Sequence, residues 1–143
     1  MCPENEALFS LLRGADLKEQ NGVTLAFLGD AVYELLVREH VLSVCGGGVR
    51  ALHEKTVAFS NAAFQSAAAT ALLPDLTEEE TAVFRRGRNA HTGHVPKNKS
   101  TAQYHLATGL EAVFGYLCLT GNAQRILELF AKIIKLNEET EYV

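Results

Sequence analysis

Acidic side chains are missing from one long stretch of this sequence. The chain of 143 residues carries 17 Asp and Glu and a formal net charge of −4, yet none of those acids lies between Thr81 and Leu110. The overall charge argues against a polyanionic partner, but the gap reverses that argument locally. Arg85, Arg86, Arg88, Lys97 and Lys99 all fall inside it, with His91, His94 and His105, while acids crowd elsewhere in Glu78-Glu79-Glu80 and Glu138-Glu139-Thr140-Glu141. An acidic protein with one acid-free basic stretch is read as having a focused polyanion site. Proline is scarce, at 3 residues, and 48% of the chain is hydrophobic, which argues against disorder outside loops and ends. Cysteine is equally scarce. Cys2, Cys45 and Cys118 are odd in number and far apart, which argues against a disulfide framework or a zinc cluster and for reduced thiols. Cys45 and Cys118 are read as small core hydrophobes. No apolar run reaches membrane-spanning length and Met1-Cys2-Pro3-Glu4 is not a signal peptide, so a cytoplasmic protein is expected.

The length suits one domain, expected over 1–143, and is enough to bury a core without disulfides. The periodicity is helical throughout, with no strand of convincing period and no repeat, so the fold class is all-α. A short helix is expected from Pro3 to about Leu12, broken at Gly14 and Asp16. A second runs from about Gly22 to Leu42, with Leu25, Leu28, Val32, Leu35 and Leu36 as its core stripe. After Gly46-Gly47-Gly48, a third, alanine-rich helix is expected from Val49 to Leu72, stopped by Pro74. Thr77-Glu78-Glu79-Glu80 reads as a capping box opening a helix to about Asn89, and Ser100-Thr101-Ala102-Gln103 as another opening a helix to about Leu119. A flexible basic loop at about 90–100 joins these two. The last helix is expected from Ala123 to Leu136, with Ile126, Leu127, Phe130, Ile133 and Ile134 at helical spacing and the final acidic residues frayed.

Two carboxylates interrupt these apolar helices. Asp30 sits within Leu25-Ala26-Phe27-Leu28-Gly29-Asp30-Ala31-Val32-Tyr33, and Glu111 within Ala107-Thr108-Gly109-Leu110-Glu111-Ala112-Val113-Phe114-Gly115. An unpaired buried charge is very costly, so such a residue needs a partner, a cation or a cavity. Each also has glycine nearby, where a helix would favour alanine. Asp30 and Glu34 lie one turn apart, and Tyr104, Thr108, Glu111 and Gly115 line one side of their helix. Should the two faces meet, Asp30 and Glu111 converge as hard oxygen ligands for Mg²⁺, with Mn²⁺ as a substitute. The alternative is that each acid caps a helix or pairs with a neighbouring cation, and spacing alone leaves both open. Glu34 is either an outer ligand or, by preference, the partner of Arg38. Tyr104 is either a contact to a bound polymer, an orienter of Glu111, or a half-buried aromatic. His91 and His94 have no third ligand nearby and are read as solvated loop residues. Some of Arg85, Arg86 and Arg88 are expected to pair with the acidic start of their own helix.

Leu28-Gly29-Asp30-Ala31-Val32 resembles the signature helix of ribonuclease III, and Thr108-Gly109-Leu110-Glu111-Ala112-Val113-Phe114-Gly115-Tyr116-Leu117 resembles that family's second acidic motif. Arg85-Arg86-Gly87-Arg88-Asn89-Ala90, then Val95-Pro96-Lys97-Asn98 and Tyr104, are similar to the basic loop region of its small relatives, the Mini-ribonuclease III group. The resemblance spans Leu25 to Leu119 in order. It implies a ribonuclease III-like helical bundle and a metal-dependent endoribonuclease cutting double-stranded RNA to leave 5′-phosphates. Asp30 and Glu111 would hold Mg²⁺, and Arg85, Arg86, Arg88, Lys97 and Lys99 would contact RNA. It further implies a homodimer that acts on a precursor of large-subunit ribosomal RNA. Full-length ribonuclease III has glutamate where this chain has Ala26 and aspartate where it has Thr108, and the small relatives share both losses. No length remains for a separate double-stranded-RNA-binding domain, so RNA affinity is expected from the catalytic domain itself. The competing readings are a non-catalytic RNA-binding dimer with a degenerate site, and a helical metal-dependent phosphohydrolase acting on nucleotides. The absence of any His-Asp dipeptide removes the commonest form of the latter.

Overall fold

The computed structural model describes residues 20–90 and 100–141, which contain helices and no strand, as expected for an all-α chain. The helix expected at Pro3–Leu12, Cys2, His91, His94, Lys97 and Lys99 lie outside the described residues. Among the described residues the α-helices are α1 (Gly22–Val44), α2 (Val49–Ser60), α3 (Ala62–Leu72), α4 (Glu78–Arg88), α5 (Thr101–Leu119) and α6 (Ala123–Glu141), with a 3₁₀ turn at Leu73–Asp75.

The ends of these helices are set by short polar side chains. Asn21 opens α1 by accepting from the Thr24 N–H at 2.8 Å. The expected single helix from Val49 to Leu72 is instead two, broken at Asn61. Asn61 is extended (φ −70°, ψ 150°), and its Nδ2 donates to the Val57 carbonyl at 2.9 Å while its Oδ1 accepts from the Phe64 N–H at 2.8 Å. One side chain thus closes α2 and opens α3, a local alternative to the backbone ladder that asparagine offers and alanine does not. The Thr77–Glu80 capping box forms in both directions, at 3.1 and 3.0 Å. The box expected at Ser100 does not form, for Ser100 makes no side-chain capping bond. Ser100 and Thr101 are exposed, so water can satisfy the first N–H groups of α5. The acidic residues Glu138, Glu139 and Glu141 are not frayed either, since α6 runs on to Glu141. Asn137 is buried and donates from Nδ2 to the Ala58 carbonyl at 3.2 Å, and this anchor carries α6 on to Glu141.

α5 is the central helix, buried along most of Ala107–Leu117 and packed on α1, α3 and α4. The face that α1 turns inward is only in part the expected stripe, of which Leu25 is in the core and Val32 and Leu36 pack against its edge. Gly22, Leu25, Ala26, Gly29, Tyr33, Val37 and Val41 are buried, whereas Leu35 is 53% exposed and Leu28, Val32 and Leu36 are only half-buried. The cause is the α1–α5 crossing. A Cβ on Gly29 would strike the Glu111 carbonyl, and one on Gly115 would strike the Leu25 carbonyl. Backbones meet at the two glycines, so the small-residue face is innermost and the leucines flank it. Tyr33 lies beside this crossing, edge-on to Phe114 and Phe130 at 5.8 and 6.2 Å, and its hydroxyl donates to the Phe59 carbonyl. Burial, then the charges of Glu111 and Glu34, push the Tyr33 phenol well above its ordinary pKa, so it stays a neutral donor. Cys45 and Cys118 are half-buried and pack against the core.

At the acidic start of α4, Glu80 finds its partner on α6 and Glu79 accepts from the Tyr116 hydroxyl of α5 at 3.3 Å, and among the described residues no ion pair joins these acids to the arginines of their own helix. Arg125 grips both Glu80 oxygens at 3.0 Å and donates to the Asp75 carbonyl at 2.7 Å. Arg85, Arg86 and Arg88 sit at the opposite end of α4, where they complement the helix dipole. Burial alone would raise the Glu80 carboxyl, but hydrogen bonds from Arg125 and Thr77 outweigh it and hold the group below its usual range. A carboxylate with a depressed folded-state pKa contributes stability above its unfolded pKa and loses it as pH falls through the folded value. The melting temperature is therefore expected to drop on acidification below the ordinary glutamate pKa of about 4.3, and the Glu80→Gln variant to show a shallower drop. Equal acid slopes in melts of the two proteins would refute this role for Glu80.

Candidate active site

The same crossing that buries Gly29 positions two acids. Asp30 follows Gly29 on α1, and Glu111 is the α5 residue whose carbonyl faces Gly29. Their side chains line one cavity of about 360 Å³. α1 also contributes Val23, Ala26 and Phe27 to its wall, and α5 contributes Tyr104 and Thr108. Ser60 and Gln65 complete it from either side of the Asn61 break. Asp30 is exposed and Glu111 half-buried, and the cavity they share is one of the surroundings that an acid in apolar sequence needs. Asp30 makes no hydrogen bond or ion pair among the described residues.

The cavity is rich in oxygen. The Ser60 hydroxyl donates to the Thr56 carbonyl at 2.9 Å, and the Thr108 hydroxyl to the Tyr104 carbonyl at 2.9 Å. Both protons are thus committed to backbone. Two carboxylates, two hydroxyl oxygens, a phenol and a carboxamide make a set of hard donors suited to Mg²⁺ or Mn²⁺ and not to a soft metal. Among the described residues no group of three or more His, Cys, Asp or Glu is placed to hold a metal. A cation held here would keep most of its shell as water or substrate oxygen, which Mg²⁺ tolerates.

The remaining sequence candidates divide. Glu34 lies off the cavity and pairs with Arg38, with the Arg38 Nε 2.9 Å from Glu34 Oε1. Tyr104 and Thr108 lie in the cavity. Arg85 and Arg86 are exposed, and Arg86 reaches the Gln20 carbonyl at 3.3 Å. The half-buried Arg88 lies 5.9 Å over the Phe84 ring and donates to Asn89 at 3.2 Å. This end of α4 abuts Gly22, next to Val23 of the cavity wall, so the arginines flank the site. Sequence reading misses Ser60, Gln65, Val23 and the cavity role of Phe27. Asn61 followed by Phe64 is the available signal for the first two, a capping pattern inside alanine-rich sequence.

The family model for the Ribonuclease III domain matches residues 23–122, which hold every cavity residue. A Mini-ribonuclease 3 of Clostridium tetani is 41% identical over 129 residues, covering 87% of this chain and 83% of the relative. Another, of Desulfitobacterium hafniense, is 42% identical, with 87% and 79% covered. A crystal structure of a Fusobacterium nucleatum protein superposes with a TM-score of 0.77 at 32% identity, covering 85% of this chain and 98% of that one. The chain therefore belongs to the ribonuclease III family, in its Mini-ribonuclease 3 branch, and is an endoribonuclease.

Proposed function

We propose that this protein cleaves double-stranded RNA with Mg²⁺, as a cytoplasmic homodimer of one catalytic domain per chain, in the maturation of a large-subunit ribosomal RNA precursor. The observation that carries the reading is the meeting of Asp30 and Glu111, remote in sequence, on one open cavity. Ala26 and Thr108 line that same cavity, so the two positions where the larger family members have acids are here neutral within the site itself. Two carboxylates remain to hold the cation, which when bound polarises a phosphate oxygen and lowers the pKa of water. Asp30 and Glu111 orient the cavity toward a phosphodiester, and Arg85, Arg86, Arg88, Lys97 and Lys99 supply positive charge to an A-form duplex read by shape and phosphates.

Phe27 supports the dimer. It is 82% exposed on the cavity rim, one turn from the exposed Val23, and the two form an apolar patch that a second copy of the chain would cover. Two such sites related by a two-fold axis match the symmetry of duplex RNA. The ribosomal substrate rests on the family resemblance.

The test is incubation of the purified protein with a duplex RNA and Mg²⁺. Cleavage to 5′-phosphate ends, dependent on the metal and absent on a mononucleotide panel, is the expected result. Intact duplex, or a solution mass of one 15.6-kDa chain, contradicts the corresponding part of the proposal. In the same assay Arg85→Ala and Arg86→Ala are each expected to weaken binding and to lower the slope of log affinity against log salt by about one, because each phosphate contact releases condensed counterions. Unchanged slopes in both variants would remove α4 from the RNA interface.

A further inference from the structure

The cavity wall includes a nearly buried polar side chain that neither the fold nor the two acids account for. Gln65, in the first turn of α3, is 6% exposed and lines the wall with Asp30 and Glu111. Its backbone N–H is used at 3.0 Å by the Asn61 carbonyl, but its carboxamide makes no hydrogen bond among the described residues. Its polar atoms reach the water of the open cavity, so the amide is left without a partner only when a seated substrate displaces that water, a costly state that a leucine or methionine of the same volume would avoid. Nor do its neighbours compensate. Ser60 and Thr108 spend their protons on backbone, and the carboxylates only accept. Among the described residues, the side-chain donors left facing this oxygen-rich cavity are the Gln65 amide and the Tyr104 hydroxyl.

We infer that Gln65 reads the ribose 2′-hydroxyl at the cleavage position and makes the site select RNA over DNA, an assignment that rests on the duplex-RNA reading above. A carboxamide presents a donor and an acceptor side by side. A phosphate oxygen answers only the donor, and a minor-groove base edge answers both only at particular base pairs. A 2′-hydroxyl answers both, lies on the open minor groove of A-form RNA, and sits on the carbon next to the one bearing the scissile 3′-oxygen. A group sharing the cavity of Asp30 and Glu111 is therefore within reach of it once the phosphodiester is seated. DNA leaves the amide unpaired in a desolvated wall, the arrangement by which a site rejects an analogue lacking one hydroxyl.

The experiment first maps the cleavage position on a duplex RNA with the wild-type protein, then replaces the nucleotide carrying the scissile 3′-oxygen by its 2′-deoxy form. Values of kcat/KM are measured on both duplexes for wild type, Gln65→Met and Gln65→Leu, with thermal melts of each protein. The wild type is expected to lose about tenfold to a hundredfold on the 2′-deoxy duplex, the effect of stranding one buried polar group. Gln65→Met is expected to show a similar loss on all-RNA and no further loss on the 2′-deoxy duplex. A wild type indifferent to the 2′-deoxy change overturns the assignment without recourse to any variant. So does a folded Gln65→Met or Gln65→Leu that keeps the wild-type discrimination. A wild type that cuts neither duplex overturns the parent reading, and the Gln65 assignment falls with it.

Discussion

Asp30→Asn and Glu111→Gln are each expected to lower duplex-RNA cleavage about a thousandfold or more, an increase of roughly 4 kcal/mol in the barrier. Both substitutions keep shape and size and remove one negative charge. The cavity presents two carboxylates, so either change halves the anionic charge available to hold a divalent cation. Neutral oxygen neighbours do not replace it, since Ser60 and Thr108 contribute dipoles and no charge. Folding is expected to survive. Asp30 is exposed and has no ion pair among the described residues, so neutralising it strands nothing. Glu111 raises the pKa of the buried Tyr33 phenol through its charge, and because that phenol is neutral near pH 7, Glu111→Gln leaves its hydrogen bond to Phe59 in place. Cleavage rates on one duplex, with melting curves as the control, check the prediction. Either variant retaining a tenth of wild-type activity while folded would show that its carboxylate is dispensable.

Gly29→Ala is the second large effect, and it acts on the fold. The added methyl has no free space, because it would overlap the Glu111 carbonyl and crowd the Gly115 amide, both main-chain groups of α5. Side chains in a core can rotate away from an extra methyl, but a helix backbone moves only with its whole packing. Overpacking commonly costs about 1–3 kcal/mol, and this overlap against main chain places Gly29→Ala at about 3 kcal/mol or more. A loss of that size lowers the melting temperature by roughly ten degrees or more. Gly46→Ala is the control, since nothing lies within 4 Å of the methyl it would add and the Gly46 φ is not positive. It is expected to be neutral or stabilising by up to about 1 kcal/mol, through the smaller freedom of its unfolded chain. Similar melts for the two variants would refute the close α1–α5 approach.

These two predictions also show what is legible in the residues. The glycines beside Asp30 and Glu111 are visible as oddities within helical sequence, and the meeting of the two acids is one of the possibilities that spacing leaves open. What the sequence does not show is that the glycines are the contact itself. Periodicity marks which residues are apolar, not how closely two backbones approach, so Leu35 reads as core although it lies 53% exposed. The α4 capping box is legible because its signal is local. The Asn61 break is concealed because alanine on both sides favours helix at every neighbouring position, and one asparagine outweighs that preference only by making two bonds at once. Ser60 and Gln65 are lost with it. The end of α6 is hidden for the opposite reason, since Asn137 is held by Ala58, far away in the chain.

The Asn61 break has a geometric consequence for RNA cleavage. In an unbroken helix, positions 60 and 65 would point about 140° apart, since each residue advances about 100° around the axis. One of the two would then face away from the phosphodiester. By redirecting the chain between them, a single asparagine lets one short stretch of main chain touch the cavity twice, and so adds a third wall to those of α1 and α5.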